Sequence, residues 1–324
     1  MSYKLRIFGL LIGSLLLAAP LQAASEFPVK GRPITIIVPN APGGINDLTA
    51  RLIAPFMEKE LGTPVMVVNK PGGTTQTGLT EAALSKPDGY TLAVTSLPGT
   101  PLIYLDAERQ AVPQIKEFKP VALNNLDFGA VIVRADSPYK TLDDLIKAAK
   151  ANPNGIKTGT DGLMGTDHMG TLHFERVTGI KLRAVHFDGG APATTALAGG
   201  HVDMRVGKVG SAYAQLKAGS IRILAVTSTE RSKFVPEVPT MIESGYPNYN
   251  WYVAAGISVS KGTPDEIVDK LAKAIRVATE SDEAKGKLDN VGLVAKYLDA
   301  EGFAALWKEF DEILVPLVAN ARNP

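Results

Sequence analysis

Glycines recur where apolar runs end. Pro39-Asn40-Ala41-Pro42-Gly43-Gly44-Ile45-Asn46-Asp47 follows the run Ile34 to Val38 and leads into a helical pattern. Lys70-Pro71-Gly72-Gly73-Thr74-Thr75 repeats the arrangement, as does Thr95-Ser96-Leu97-Pro98-Gly99-Thr100. So do Gly162 to His168, where Thr166 and Asp167 precede the histidine, then Asp188-Gly189-Gly190-Ala191 and Gly207-Lys208-Val209-Gly210-Ser211. Glycine lets a backbone turn sharply and come close to a ligand. Free N–H groups at the start of the following helix, with the positive end of its dipole, attract an anion. Neither G-x-G-x-x-G nor G-x-x-x-x-G-K-[ST] is present, so the loops lack a nucleotide cradle, whereas a carboxylate needs only a few aimed donors. One such loop alone is an ordinary turn. Their repetition points to a shared anion site, because ligands of open α/β sheets sit beyond the carboxyl ends of the strands.

Groups for catalysis are sparse. No G-x-S-x-G nucleophile turn occurs. His168 and His173 are five residues apart with no glutamate to complete H-E-x-x-H, so they do not form a helical metal pair. His186 ends an apolar strand, and His201 lies in a Gly-Gly-His-Val-Asp turn that faces solvent. Only His168 belongs to a candidate cleft loop, where contact with ligand and capping of a helix are both open. Arg205 and Lys208 stand in a strand-like context, either to meet a second negative charge or to form surface salt bridges. Tyr249, Trp251 and Tyr252 read as hinge or core packing more readily than as a stacking platform. An enzymatic reading would rest on Asp47 with His168 as acid and base.

The elements that hold these loops alternate. Strand-like runs occur at Ile34 to Val38, Val65 to Val68, Tyr90 to Thr95, Val121 to Leu123, Ala130 to Val133, Arg183 to Phe187 and Ile221 to Val226. Leu48, Leu52, Ile53, Phe56, Met57 and Leu61 make one helical face, with Asn46 or Asp47 placed to cap its start. Thr141-Leu142-Asp143-Asp144 opens another helix, and two more close the chain, around Ile267 to Ile275 and Phe303 to Leu314. This alternation predicts mostly parallel, doubly wound α/β sheets. One sheet would hold nearly ten strands, so two lobes with a ligand cleft between them are expected. The hinge strands fall near 121–133 and 251–259, giving one lobe from 25–125 with 255–324 and another from 126–254.

Composition bounds the setting. Lys4 and Arg6 precede an apolar stretch, Ile7 to Ala19, followed by small residues to Ala24, the pattern of a cleaved secretory signal over 1–24. Without it, 32 basic residues face 33 acidic ones, so nothing recommends a nucleic-acid partner. The absence of cysteine excludes disulfides and thiolate metal sites. A soluble monomer without cofactor is expected.

Several segments resemble a known family, the periplasmic solute receptors of tripartite tricarboxylate transporters, also called the Bordetella uptake gene family. They include Ile36-Ile37-Val38-Pro39 with Pro42-Gly43-Gly44 and Asp47, Val68-Asn69-Lys70-Pro71-Gly72, and Lys86-Pro87-Asp88-Gly89-Tyr90-Thr91-Leu92. Gly189 to Ala193, Gly199 to Asp203, Ala218-Gly219 before Ile221 to Thr227, and Arg231 with Pro236-Glu237-Val238-Pro239-Thr240 continue the likeness over nearly the whole chain. The resemblance implies a type II, Venus-flytrap binding protein that takes a small carboxylate to a membrane permease and is not an enzyme. It assigns one ligand carboxylate to Gly43, Gly44 and Asp47 and to the loop Pro71 to Thr75. Thr166 to His168 and Asp188 to Ala191 would close from the second lobe. The chain departs from the family at Thr74 and Thr75, where further glycines are usual, at Asp188, where many relatives carry lysine, and at Gly207-Lys208, which replaces an acidic and amide pair. The loop before His168 is one residue shorter. With Lys208 or Arg205 as partner for a distal charge, an aliphatic or aromatic dicarboxylate is the expected ligand. A sensor presenting its closed form to a membrane kinase is the alternative partner reading.

Overall fold

The computed structural model describes residues 27–322, so the expected signal segment lies outside the described residues. The chain runs through β1 (Ile34–Val38), α1 (Ile45–Leu61), β2 (Val65–Asn69), α2 (Gln76–Ala83), β3 (Thr91–Leu97), α3 (Gly99–Leu105) and β4 (Lys119–Arg134). It continues through α4 (Leu142–Ala151), β5 (Lys157–Thr160), α5 (Thr166–Thr178), β6 (Arg183–His186), α6 (Gly190–Ala198), β7 (Met204–Lys208), α7 (Val209–Lys217) and β8 (Ile221–Val226). β9 (Tyr252–Val259), α8 (Asp265–Glu280), α9 (Asp282–Asp289), β10 (Val294–Leu298) and α10 (Ala300–Arg322) complete it.

Val121 to Leu123 and Ala130 to Val133, two apolar runs within the hinge strand expected near 121–133, belong to one 16-residue strand, β4. The polar stretch that divides them in sequence, Asn124, Asn125 and Asp127, is buried within it. β4 is common to two sheets. Its first part pairs with β9 and β10, ending at Phe128 opposite Tyr252. From Gly129 onward it pairs with β7 and β8. The first sheet has the order β2-β1-β3-β9-β4, and the second continues as β4-β7-β5-β6. β1, β2 and β3 are parallel, as are β5, β6 and β7, but β9 and β4 run antiparallel to their neighbours. Each sheet is therefore mixed, because the strands that pass between the sheets must run back against those that precede a helix.

Gly129 occupies the exchange point. Its N–H donates to the Trp251 carbonyl at 3.1 Å, and its carbonyl accepts from Thr227 N–H at 2.9 Å. A Cβ there would run into that Trp251 oxygen and the Thr227 hydroxyl. On α1, Leu52, Ile53 and Met57 are buried as their spacing requires. Leu48, expected on the same face, is 41% exposed.

One apolar cluster includes Ile37 and Ala93 of the first sheet and Val131 and Met204 of the second. α10 contributes Phe303, Trp307, Phe310 and Leu314 to it. Phe310 meets Trp251 and Tyr252 edge-on, with ring centroids 6.3 and 5.3 Å apart. Tyr249 and Trp251 are fully buried, so the aromatic trio serves packing. Among the described residues no helix is long and apolar enough to cross a membrane.

Candidate binding cavity

A cavity of about 510 Å³ lies where the glycine-rich loops of both sheets meet. Gly43, Gly44, Ile45 and Asn46 line it from the start of α1, with Thr74 and Thr75 before α2, Ser96 near the end of β3 and Thr100 in the first turn of α3. From the second sheet come Gly165 and Thr166 at α5, Gly190 and Ala191 at α6, and Lys208, Gly210 and Ser211 around the start of α7. Leu79, Val94, Leu102, Ile103, Met164 and Val253 give it an apolar lining.

The start of α1 is built to leave donors free. Its N-cap is Gly44, not Asn46 or Asp47, and no side chain caps it. Asp47 instead lies buried behind the loop, where Oδ2 accepts from Gly43 N–H at 2.9 Å. Its Oδ1 accepts from Arg51 Nε at 3.0 Å and Asn69 Nδ2 at 2.9 Å. Asn46 Nδ2 donates to Asn40 Oδ1 at 2.8 Å, which turns that side chain along the loop. Burial raises the Asp47 pKa, but the hydrogen bonds from Arg51, Gly43 and Asn69 outweigh it and hold the carboxyl below its ordinary value. Asp47 thus fixes the turn, while the N–H groups of the first helical turn remain for a ligand.

α5 and α6 also open on glycine, Gly165 and Gly189, without a side-chain cap from that residue. By contrast α4 and α9, away from the cavity, are capped by Thr141 and Ser281. In the second loop Gly72, Gly73, Thr74 and Thr75 all have positive φ, 51° at Thr74 and 79° at Thr75. A β-branched residue in that region is strained by about 1–3 kcal/mol, a cost characteristic of functional loops. Gly72 and Gly73 are exposed and form the turn without lining the cavity.

The remaining expected site residues divide by burial. Thr95 does not line the cavity; its hydroxyl pairs with Ser258 at 2.7 Å, joining β3 to β9. Asp167 and Arg205 lie behind the wall, paired with each other, and Arg205 also bonds Thr194. Lys208 Nζ reaches the wall but sits 2.5 Å from Asp167 Oδ1 and 3.7 Å from Asp161 Oδ2. Burial opposes the Asp167 charge, yet Lys208 and Arg205 pull its pKa below the ordinary value. Burial likewise disfavours the Lys208 charge, but Asp167 and Asp161 raise its pKa. His168 does not line the cavity either. Its Nδ1 accepts from Met164 N–H at 3.2 Å, holding the loop, and its ring meets His186 edge-on. Burial, with His186 beside it, lowers its pKa to about 4. Asp188 is exposed beyond the rim. Asp47 and His168 therefore do not form an acid–base pair at the cavity.

Sequence reasoning missed Arg109, Asn125, Asp127 and Asp161, which all line the cavity. Arg109 lies in a short turn at 107–109 with no periodicity to mark it, its Nε 3.3 Å from Asp106 Oδ2. Asn125 and Asp127 fall within the expected hinge strand near 121–133 but were not read as site residues, although polar residues amid an apolar run were a visible signal. Asp127 Oδ1 accepts from Gly210 N–H at 2.8 Å, and burial pushes its pKa up to about 7. Asp161 Oδ1 accepts from Asp167 N–H at 2.8 Å, and burial, with Asp167 nearby, raises its pKa. Among the described residues no group of His, Asp and Glu is arranged to hold a metal.

Comparison with known proteins gives consistent matches. The profile of the family described as tripartite tricarboxylate transporter family receptor matches residues 49–313. Protein BugT of Bordetella pertussis is 31% identical over 283 residues, covering 87% of this chain and 86% of its own. The solved structure of MatC from Rhodopseudomonas palustris with bound malate is 28% identical, with a TM-score of 0.77 over 90% of this chain and all (100%) of its own. That of R. palustris Rpa4515 with adipate is 26% identical, with a TM-score of 0.78 over 91% of this chain and 98% of its own.

Proposed function

Since the chain belongs to the receptor family of the tripartite tricarboxylate transporters, a family of binding proteins and not of enzymes, we propose that it captures a small carboxylate in its cavity and hands it to a membrane permease of that type. The supporting observation is the convergence of α1, α5 and α6, each opening on an N-cap glycine, at a single cavity. One carboxylate sits on the first turn of α1, where the free N–H groups and the dipole favour an anion.

The lobes are residues 25–125 with 255–324, and 126–254, and they bend about β4 and β9. Open and closed forms exchange, and a ligand touching both rims favours closure by its differential affinity. The closed surface then docks on the permease. In this reading the chain acts in the periplasm as a monomer, after loss of residues 1–24 and without cofactor. A dicarboxylate is the second reading for the ligand, favoured by Lys208 Nζ on the wall and by the malate and adipate of the two neighbours.

Gly44→Val tests the placement. A Cβ at Gly44 meets only Ala41 O, at an ordinary 3.7 Å, so the fold accommodates the larger residue while the approach of a carboxylate is obstructed. A thermal-shift screen of mono-, di- and tricarboxylates identifies a ligand, since binding to the native state raises stability by mass action. Calorimetry is then expected to show at least a tenfold loss of affinity in the variant. Undiminished affinity would remove the start of α1 from the site.

A further inference from the structure

The charges around the cavity are unevenly placed. Its charged lining residues are Arg109, from the first half of the chain, and Asp127, Asp161 and Lys208 on the opposite wall. Lys208 is held by Asp167 and faces Asp161, and the cation behind it, Arg205, is wholly buried against Asp167 and Thr194. Three carboxyl groups therefore share two cations on that wall, and Asp161 and Asp167 engage both. Among the described residues Asp127 has no ion-pair partner. Its Oδ1 receives the Gly210 amide, while no hydrogen bond from the described residues reaches its Oδ2, although the residue is 2% exposed. Asn125, two positions earlier on β4 and so on the same face, also lines the cavity. Its Nδ2 donates to Asn124, and no protein donor is bonded to its carbonyl oxygen. Both residues line the cavity, where a donor on a ligand would supply the hydrogen bonds that the protein does not.

Resting on the placement of a carboxylate at α1, we propose that the ligand carries an ammonium group at its other end and that Asp127, with Asn125 beside it, receives this group. The preferred class is therefore an ω-amino acid with an apolar spine, rather than a diacid. The spine follows from the lining, where Val94, Leu102, Ile103 and Val253 supply apolar surface. β1, which leads into α1, and β4 are separated by β3 and β9, three steps in the sheet, or about 14 Å at the usual strand spacing. An elongated ligand is therefore required, and the six carbons of the adipate held by one neighbour set the length tested.

The test uses three acids of one length: hexanoate, adipate and 6-aminohexanoate. Calorimetry on the full mature chain is expected to give 6-aminohexanoate at least tenfold tighter binding than adipate or hexanoate. Asp127→Asn keeps the shape and the acceptor for Gly210 while removing the charge, and is expected to abolish that preference. The unaltered protein gives a second readout. Asp127 titrates near neutrality amid the charges of Lys208 and Asp167. Binding of 6-aminohexanoate should therefore tighten as pH rises through about 7, whereas an acid needing Asp127 as a donor would weaken. Equal or tighter binding of adipate overturns the ammonium assignment and leaves the carboxylate site standing. Failure of all three acids to bind removes both. Should Asp127→Asn not fold, the ranking of the acids and the sign of the pH effect still decide.

Discussion

Asp47 shows how a single side chain prepares a site it does not line. Its carboxylate takes hydrogen bonds from the Gly43 amide, Arg51 and Asn69, so the loop before α1 is fixed before any ligand arrives. Asp47→Asn keeps the shape but loses the charge that these donors favour, and urea denaturation at neutral pH is expected to show a loss of about 2 kcal/mol. The sign of the pH dependence is set by the lowered pKa in the folded protein. In that interval the unfolded chain binds the proton first, so this contribution is present above the unfolded value, about 3.9, and disappears as pH falls through the folded one. The variant should therefore lose less stability than the parent on acidification from about pH 5 to pH 2. An unchanged acid slope would show that Asp47 is not the group responsible. Gly43, Gly44, Gly190, Thr74, Thr75, Ser96 and Lys208, which line the cavity, were legible as candidates because they follow strand signals, whereas Gly72 and Gly73 only form the turn. The inward aim of Asp127 was not, since it depends on which face of β4 meets the cavity.

At the scale of elements, β4 decides the architecture. Alternation of strand and helix was readable in the sequence, and so was the need for two sheets. The crossing near 121–133 was readable too, but its pairing as one unbroken strand with both sheets was not, because Asn124, Asn125 and Asp127 interrupt the apolar pattern on which strand recognition rests. β5 and β10 were missed for a similar reason. Lys157–Thr160 and Val294–Leu298 are short and mix polar with apolar residues, and pairing with neighbours makes them strands. Gly129 tests the role of the exchange point. Its backbone is bonded on one side to Trp251 and on the other to Thr227, leaving no room for a methyl group. Gly129→Ala is expected to cost about 2–3 kcal/mol, measured as a lower denaturation midpoint, because neither carbonyl nor strand can retreat without breaking pairing. A neutral substitution would mean that the two sheets yield easily at this position.

For the whole molecule, the issue is whether two sheets behave as two bodies. The apolar cluster that holds Ile37 and Ala93 also holds Val131 and Met204. α10 returns from the end of the chain to seal it, and Phe310 touches both Trp251 and Tyr252 at the start of β9. Under the proposed function, closure would be a bend of β4 and β9 about this shared core. Heating should accordingly give one transition whose calorimetric and van't Hoff enthalpies agree. Phe310→Ala removes a buried ring at the junction and is expected to cost about 3–5 kcal/mol. That loss should shift the whole transition downward instead of releasing one sheet early, because the same cluster supports both. Two separate transitions in the parent protein would contradict a common core, and their appearance only in the variant would identify Phe310 as the contact that couples the sheets.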